Sequence, residues 1–244
     1  MSVPTEVSLM ITCLGDVLRP QAGVATVRLL QRLGIRVQFP PRQTCCGQPF
    51  YNSGFMPGAK DQARHTIQCF ENGLPVVIPS GSCAAMVKIE YPHLFEDEPE
   101  WQARAKELAA RCFELSDFLV HQLGVTDVGA RYDGKVTYHY ACHLRGLGLT
   151  DEAETLIRQV RGVEFIPLTK SDQCCGFGGS FSVRYPLISG AMVGEKSSCV
   201  IETDADVVVS TDTGCLMNIG GSLHRRGARP QTMHLAELLN SQAG

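Results

Sequence analysis

Apolar and polar positions along this chain follow two rhythms, and the order in which they alternate is used twice. Val7-Ser8-Leu9-Met10-Ile11-Thr12 and Val136-Thr137-Tyr138-His139-Tyr140-Ala141 are short strand-like runs, each ending at a cysteine. Pro20–Leu33 follows the first run. Its Val24, Val27, Leu29 and Leu30 predict one apolar helix face, and Pro20 suits a first helical turn. Asp151–Val160 is its counterpart, with acidic residues in the first turn. Second strands are predicted at Ile35–Phe39 and Val163–Leu168, helices at Gly58–Glu71 and Leu187–Glu202, and third strands at Pro75–Pro79 and Ala205–Ser210. The closing segments 113–119 and 233–239 also match.

Strand and helix in alternation predict an α/β protein of two duplicated domains, each a small parallel sheet flanked by helices. The halves are read as 1–128 and 129–244, meeting within Val125–Asp133, which has no clear period. The offset between halves is 129 at Cys13/Cys142, 132 at Cys83/Cys215 and 120 at Leu115/Leu235. The first half therefore carries 12 extra residues, placed within Tyr91–Lys106, which includes Trp101.

Composition narrows the function. At 44% hydrophobic and 19% charged the chain has material for real cores. A net charge of −3 without a basic block argues against nucleic acid as a partner. The longest apolar runs, such as Val7–Leu14, fall well short of the roughly 20 residues of a membrane span. No secretory signal pattern is read at the N-terminus, so a cytoplasmic location is expected, where thiols persist.

Eleven cysteines change the picture most. Cys13 is followed after 31 residues by Cys45-Cys46 and after 36 more by Cys83; Cys142 is followed after 31 by Cys174-Cys175 and after 39 more by Cys215. Two equal sets of four soft thiols predict two metal centres. Three loops of each half carry them, at the carboxyl ends of the strands, where ligand sites of parallel α/β sheets lie. That placement predicts two sites facing each other across the junction of the halves. Adjacent Cα atoms about 3.8 Å apart disfavour a Cys45–Cys46 disulfide, which takes about 4.4–6.8 Å. Neither half has the Cys-x-x-Cys of compact zinc sites, so iron–sulfur centres are preferred, with zinc as the alternative. Cys69, Cys112 and Cys199 fall outside the repeat and are read as small buried hydrophobes on helices. His139, His143 and Arg145 are the polar residues placed near the second site. His143 is a candidate proton shuttle and Arg145 a candidate carboxylate holder; Asp16, Asp212 and Gln48 are read as loop caps. Glycine after each cysteine pair offers backbone N–H groups to sulfur.

Cys13-Leu14-Gly15-Asp16, Cys45-Cys46-Gly47-Gln48-Pro49, Pro79-Ser80-Gly81-Ser82-Cys83, Cys142-His143-Leu144-Arg145, Cys174-Cys175-Gly176-Phe177-Gly178-Gly179 and Asp212-Thr213-Gly214-Cys215 together resemble the CCG cysteine-rich domain, duplicated. That domain occurs in heterodisulfide reductase, in the iron–sulfur component of glycolate oxidase and in stand-alone lactate-utilisation proteins. The resemblance covers essentially the whole chain. It implies two iron–sulfur clusters of [4Fe-4S] type, held by Cys13, Cys45, Cys46 and Cys83 and by Cys142, Cys174, Cys175 and Cys215. It further implies an electron-transfer subunit of a system oxidising L-lactate to pyruvate, with other subunits and electron donor and acceptor proteins as partners. No flavin or nicotinamide fingerprint is present, which favours a relay over a self-contained catalyst. A heterodisulfide or quinone reductase-type component is one alternative. The fuller family pattern ends in Cys-x-x-Cys, and here the last position is Met86 or Asn218, which weakens it. A zinc-stabilised non-redox assembly module is the other.

Overall fold

The computed structural model describes residues 3–242, and they form two four-stranded sheets, all parallel. The first half runs β1 (Glu6–Leu9), α1 (Cys13–Leu18), α2 (Pro20–Arg32), β2 (Arg36–Gln38), α3 (Gln48–Asn52), α4 (Met56–Cys69), β3 (Val76–Ile78) and α5 (Gly81–Ala85). A π-helical turn at Met86–Glu90 continues into α6 (Tyr91–Leu94), followed by α7 (Pro99–Ala110), β4 (Cys112–Glu114), α8 (Leu115–Asp117) and a second π turn at Phe118–Gln122. The second half runs β5 (Arg131–Tyr138), a 3-10 turn at Cys142–Arg145, α9 (Glu152–Arg158), β6 (Arg161–Phe165), α10 (Ser180–Arg184), α11 (Pro186–Glu202), β7 (Val207–Ser210), α12 (Thr213–Arg225), β8 (Gln231–His234) and α13 (Leu235–Leu239). Sheet order is β2-β1-β3-β4 in one half and β6-β5-β7-β8 in the other, the same topology twice.

The strands read as the sequence predicts wherever they are buried on both faces. β3 is Val-Val-Ile and β7 is Val-Val-Val-Ser, and every residue of both is buried, as expected for central parallel strands. Val77 points into a core with Val7, Val136, Tyr138, Val207 and Val209. Its neighbours Val76 and Ile78 point the other way, into a core confined to the first half. Val208 does the same in the second half. The period of two thus sends alternate side chains to two different cores.

The core shared by both sheets is the largest. It takes Ala25, Leu29 and Leu30 from α2, Leu115 from α8, Phe118 and Leu119 from the turn after it, Leu156 and Ile157 from α9, and Leu235, Leu238 and Leu239 from α13. Helices of both halves therefore lie between the sheets. Val128 and Ala130, inside the expected junction, are buried in this core.

Three expectations need correction. Each half has a fourth strand, β4 or β8, where the sequence pattern marks only a closing segment. Cys112 lies on β4 and not on a helix, and Cys69, at the end of α4, is only half-buried with its Sγ 3.5 Å from His65 Nε2. The buried face of α2 is Ala22, Ala25, Thr26, Leu29 and Leu30, whereas Val24 is exposed. Alanine takes the inner positions because α13 of the other half crowds that face. Most of α7 falls within the segment where the offset between halves places the extra residues, and it packs Trp101 on Phe95 at 6.0 Å.

Candidate functional site

Each half delivers its cysteines in the same way. Cys13 opens α1 behind Thr12, whose Oγ1 accepts from Gly15 N at 3.1 Å. Cys142 opens the 3-10 turn at the corresponding place. Cys83 sits in the first turn of α5, where Ser80 Oγ accepts from its N–H at 3.4 Å. Cys215 sits in the first turn of α12, where Asp212 Oδ1 accepts from Gly214 N at 3.1 Å. The cysteine pairs lie in the loops that lead into α3 and α10. Gly47 and Gly176 follow them with φ of +85° and +79°, a left-handed conformation that glycine adopts freely. Packing demands glycine as well. A Cβ on Gly176 would lie 2.8 Å from Ser189 O and from Met192 Cβ; one on Gly47 would lie 3.0 Å from Gln62 Cβ. In this conformation Gly47 N donates to Cys45 Sγ at 3.5 Å and Gly176 N to Cys174 Sγ at 3.3 Å.

The thiols of each set converge. Cys13 Sγ is 3.6 Å from Cys45 Sγ, and Cys46 Sγ is 3.3 Å from Cys83 Sγ. In the second set Cys175 Sγ is 3.1 Å from Cys215 Sγ. Burial repeats too: Cys46, Cys83, Cys175 and Cys215 are buried, and the other four are half-buried. The hydrogen bond from Cys13 holds the Cys45 thiol well below its ordinary range, with help from Cys46 and Gly47 N. Cys142 does the same for Cys174. The Cys13 and Cys142 thiols, as the donors, are pushed up. Each set therefore holds one thiol with a lowered pKa among thiols that donate to it, and iron and zinc take such a soft sulfur as thiolate.

All eight cysteines line one cavity of about 390 Å³, so the two sets face each other across the junction. Leu14, Pro49, Phe177 and Val183 supply apolar wall, and Ser82, Gln48 and His143 supply polar wall. The halves are tied at this point. Asp212 Oδ2 accepts from Ser80 Oγ at 3.1 Å and from Ser82 N at 3.0 Å, so one carboxylate caps α12 and the facing α5 together. Gln48 Nε2 donates to Ser82 O at 3.3 Å and lies 3.2 Å from His143 Nε2. His234 Nε2 lies 3.1 Å from Pro79 O. Asp212 and Gln48 thus bond as caps and ties, while Asp16 is exposed on α1.

The predicted polar residues part company here. His143 lines the cavity with Nδ1 3.7 Å from Cys142 Sγ. Arg145 is exposed, donates to Asp172 O and lies over the Tyr140 ring at 5.7 Å; it is not among the lining residues. His139 is 1% exposed, and burial lowers its pKa to about 4, so the ring is neutral. Lys196 escapes the sequence pattern. It is 1% exposed on α11, its pKa is lowered by burial, and its Nζ donates to Lys170 O. A single lysine in a helix gives no signal of that burial. Phe177 and Val183 escape it for a similar reason, since an apolar side chain carries no mark of lining a cavity.

Duplicated parallel sheets that bring paired cysteines from their strand ends to one cavity define a class of cysteine-rich proteins. The cysteine-rich domain called CCG matches residues 7–88 and 136–220, and the chain belongs to this family. Over 238 residues it is 53% identical to a protein named lactate utilization protein A in Bacillus licheniformis, covering 97% of this chain and 100% of that one. The protein of the same name in Anoxybacillus flavithermus is 51% identical over 96% of this chain and 99% of its own length, and that in Bacillus subtilis is 50% identical over 97% and 100%. Among solved structures, a hypothetical protein from Helicobacter pylori superposes with a TM-score of 0.68 at 10% identity. All of this chain is covered, spanning half the length of that one, and the likeness is one of fold. No helix among the described residues is long and apolar enough to cross a membrane.

Proposed function

We propose that the chain is a two-centre iron–sulfur electron carrier of a lactate-oxidising system. The observation that carries this reading is the duplicated set of four thiols opening from both sides onto one cavity. Cys13, Cys45, Cys46 and Cys83 would hold one centre, and Cys142, Cys174, Cys175 and Cys215 the other. The donor set fits: each half offers four soft sulfurs, one with its pKa held down by its neighbours and with a glycine N–H aimed at it. Bound iron–sulfur clusters supply one-electron redox chemistry at potentials set by charge, burial and hydrogen bonds to sulfur.

The chain's own residues do the rest. Cys46, Cys83, Cys175 and Cys215 are buried and keep water from the inner side of each set. His143 stands at the cavity wall, where an imidazole can hold or pass a proton. The name of the relatives brings lactate to this chain. Lactate to pyruvate releases two electrons and two protons, and two one-electron centres match the electron count. No flavin or nicotinamide fingerprint appears in the sequence, so a partner would take up the hydride equivalent. Val183, 80% exposed on α10, offers apolar surface at the cavity for such a partner, and Leu187, 89% exposed, follows four residues later on α11.

A disulfide reductase reading gains no support at the fifth ligand position. Met86 is fully buried among Cys46, Cys83 and core side chains, and Asn218 Nδ2 donates to Cys175 O at 2.9 Å.

Anaerobic purification with iron and acid-labile sulfide assays tests the metal: two [4Fe-4S] clusters predict about eight irons and eight sulfides per chain. A colourless chain with zinc and no labile sulfide would replace the reading by a structural zinc protein. Pyruvate formation from L-lactate with an artificial acceptor should be absent for the chain alone and appear with its partner proteins. It should then drop at least tenfold in Cys45→Ser or Cys174→Ser.

A further inference from the structure

His139 is the residue the proposed chemistry leaves unexplained. It follows β5, its backbone N–H donates to Val209 O at 2.8 Å, and its ring is enclosed. Neither Nδ1 nor Nε2 has a hydrogen-bond partner among the described residues. Burying two unpaired ring nitrogens is costly unless something binds them. A ring nitrogen of His139 and the sulfurs of Cys175 and Cys215 all lie within 4.8 Å of one another. Tyr138, the last residue of β5, is in the core shared by both sheets, and the next side chain in an alternating pleat points the other way.

The duplication supplies a control within the molecule. At the offset of Cys13 and Cys142, the counterpart of His139 is Met10. Met10 is 1% exposed and packs in one core cluster with Cys46 and Cys83, the counterparts of Cys175 and Cys215. The same position against the same two thiols holds an apolar side chain in one half and an unpartnered imidazole in the other. If burial alone were required there, methionine meets it without stranding two nitrogens.

Resting on the two-centre reading, we propose that His139 donates a ring nitrogen to the metal centre of the second half, so the two centres of this protein are chemically unequal. The first is bound by sulfur alone, and the second by sulfur and nitrogen. Neutral imidazole adds a donor without adding negative charge, and ligand identity is one of the levers that set the potential of an iron–sulfur centre. The two centres then differ in potential.

The test uses the full chain, loaded anaerobically with iron and sulfide, reduced, and labelled with 15N at histidine only. Pulsed electron paramagnetic resonance should detect 15N coupled to one of two centres. His139→Met copies the first half and should lose that coupling and shift one reduction potential, leaving the other unchanged. His143→Gln, which alters the histidine that lines the cavity, should keep the coupling. Iron-loaded wild-type chain without histidine coupling would overturn the inference and leave the two-centre reading standing. So would coupling that survives in His139→Met or disappears in His143→Gln. A chain that takes up no iron would overturn both. If His139→Met fails to load its second centre, the comparison of wild type with His143→Gln still assigns the nitrogen.

Discussion

At the scale of single residues, Glu114 and His234 are a matched pair outside the thiol sites. Both end the fourth strand of their half and cap the helix that follows. Glu114 Oε2 accepts from Ser116 N at 2.7 Å, yet the side chain is fully buried, and burial pushes its pKa up from 4.5 to about 7. Its folded pKa lies above the unfolded one, so its contribution to stability is complete below about pH 4.5 and is lost as pH rises through about 7. That shift corresponds to about 3 kcal/mol. Urea unfolding of the metal-free chain at pH 5 and pH 8 should show this part of the pH dependence disappear in Glu114→Gln. An unchanged slope would place the titrating group elsewhere. Gly176 makes the second prediction. Gly176→Ala forces a Cβ against Ser189 O with φ at +79°, a strain of about 1–3 kcal/mol. The loop carrying Cys174 and Cys175 should shift, which half the iron content with a lowered Tm would register. Such residues divide by how far sequence reveals them. A cysteine announces its chemistry, and a glycine after a cysteine pair announces a turn. The exposure of Arg145 and the burial of Lys196 depend on which way a neighbouring loop or helix turns, and no local pattern records that.

Helix and strand boundaries are legible where periodicity is long. Pro186–Glu202 and Pro20–Arg32 match their predicted spans within a residue. The fourth strands are not, for a physical reason. Cys-Phe-Glu and Gln-Thr-Met-His are three or four residues long and carry a charged or polar end. Their strand character comes from pairing with β3 and β7, which the local sequence cannot display. The two π turns, at Met86–Glu90 and Phe118–Gln122, leave no sequence trace either. The two fourth-cysteine helices are coupled by one side chain. Asp212→Ala would uncap α12 and strip Ser80 Oγ and Ser82 N at the head of α5. A loss of about 2–4 kcal/mol follows from one buried charged acceptor serving three donors. Chemical denaturation of the metal-free chain measures it. Asp212→Asn, which keeps one acceptor, should recover part of the loss.

For the molecule as a whole, the duplicated topology is legible in the sequence and its intimacy is not. A division at 128/129 remains our proposal for the repeat unit, but the largest core draws Leu29 and Leu30 from one side and Leu156, Leu238 and Leu239 from the other. Arg32 Nη2 donates to Leu239 O at 2.7 Å, and Arg19 Nη2 to Thr232 Oγ1 at 2.7 Å, so the halves are bonded as well as packed. Residues 1–128 or 129–244 expressed alone should lack a cooperative thermal transition and bind hydrophobic dye, while the two co-expressed should recover the transition. A sharp melt for either half alone would contradict the shared core.

That core also bears on how anything reaches the thiols. Hinged domains close on a guest because a linker with few contacts lets them swing. Here the segment that would be the hinge, around Val128 and Ala130, is itself buried between the sheets. The two walls of the cavity are fixed at their spacing by leucines that touch neither thiol set. The chamber is a gauge block more than a pair of jaws: it accepts what already fits the gap, and a tighter or wider gap would have to be written into the side chains packed between the sheets.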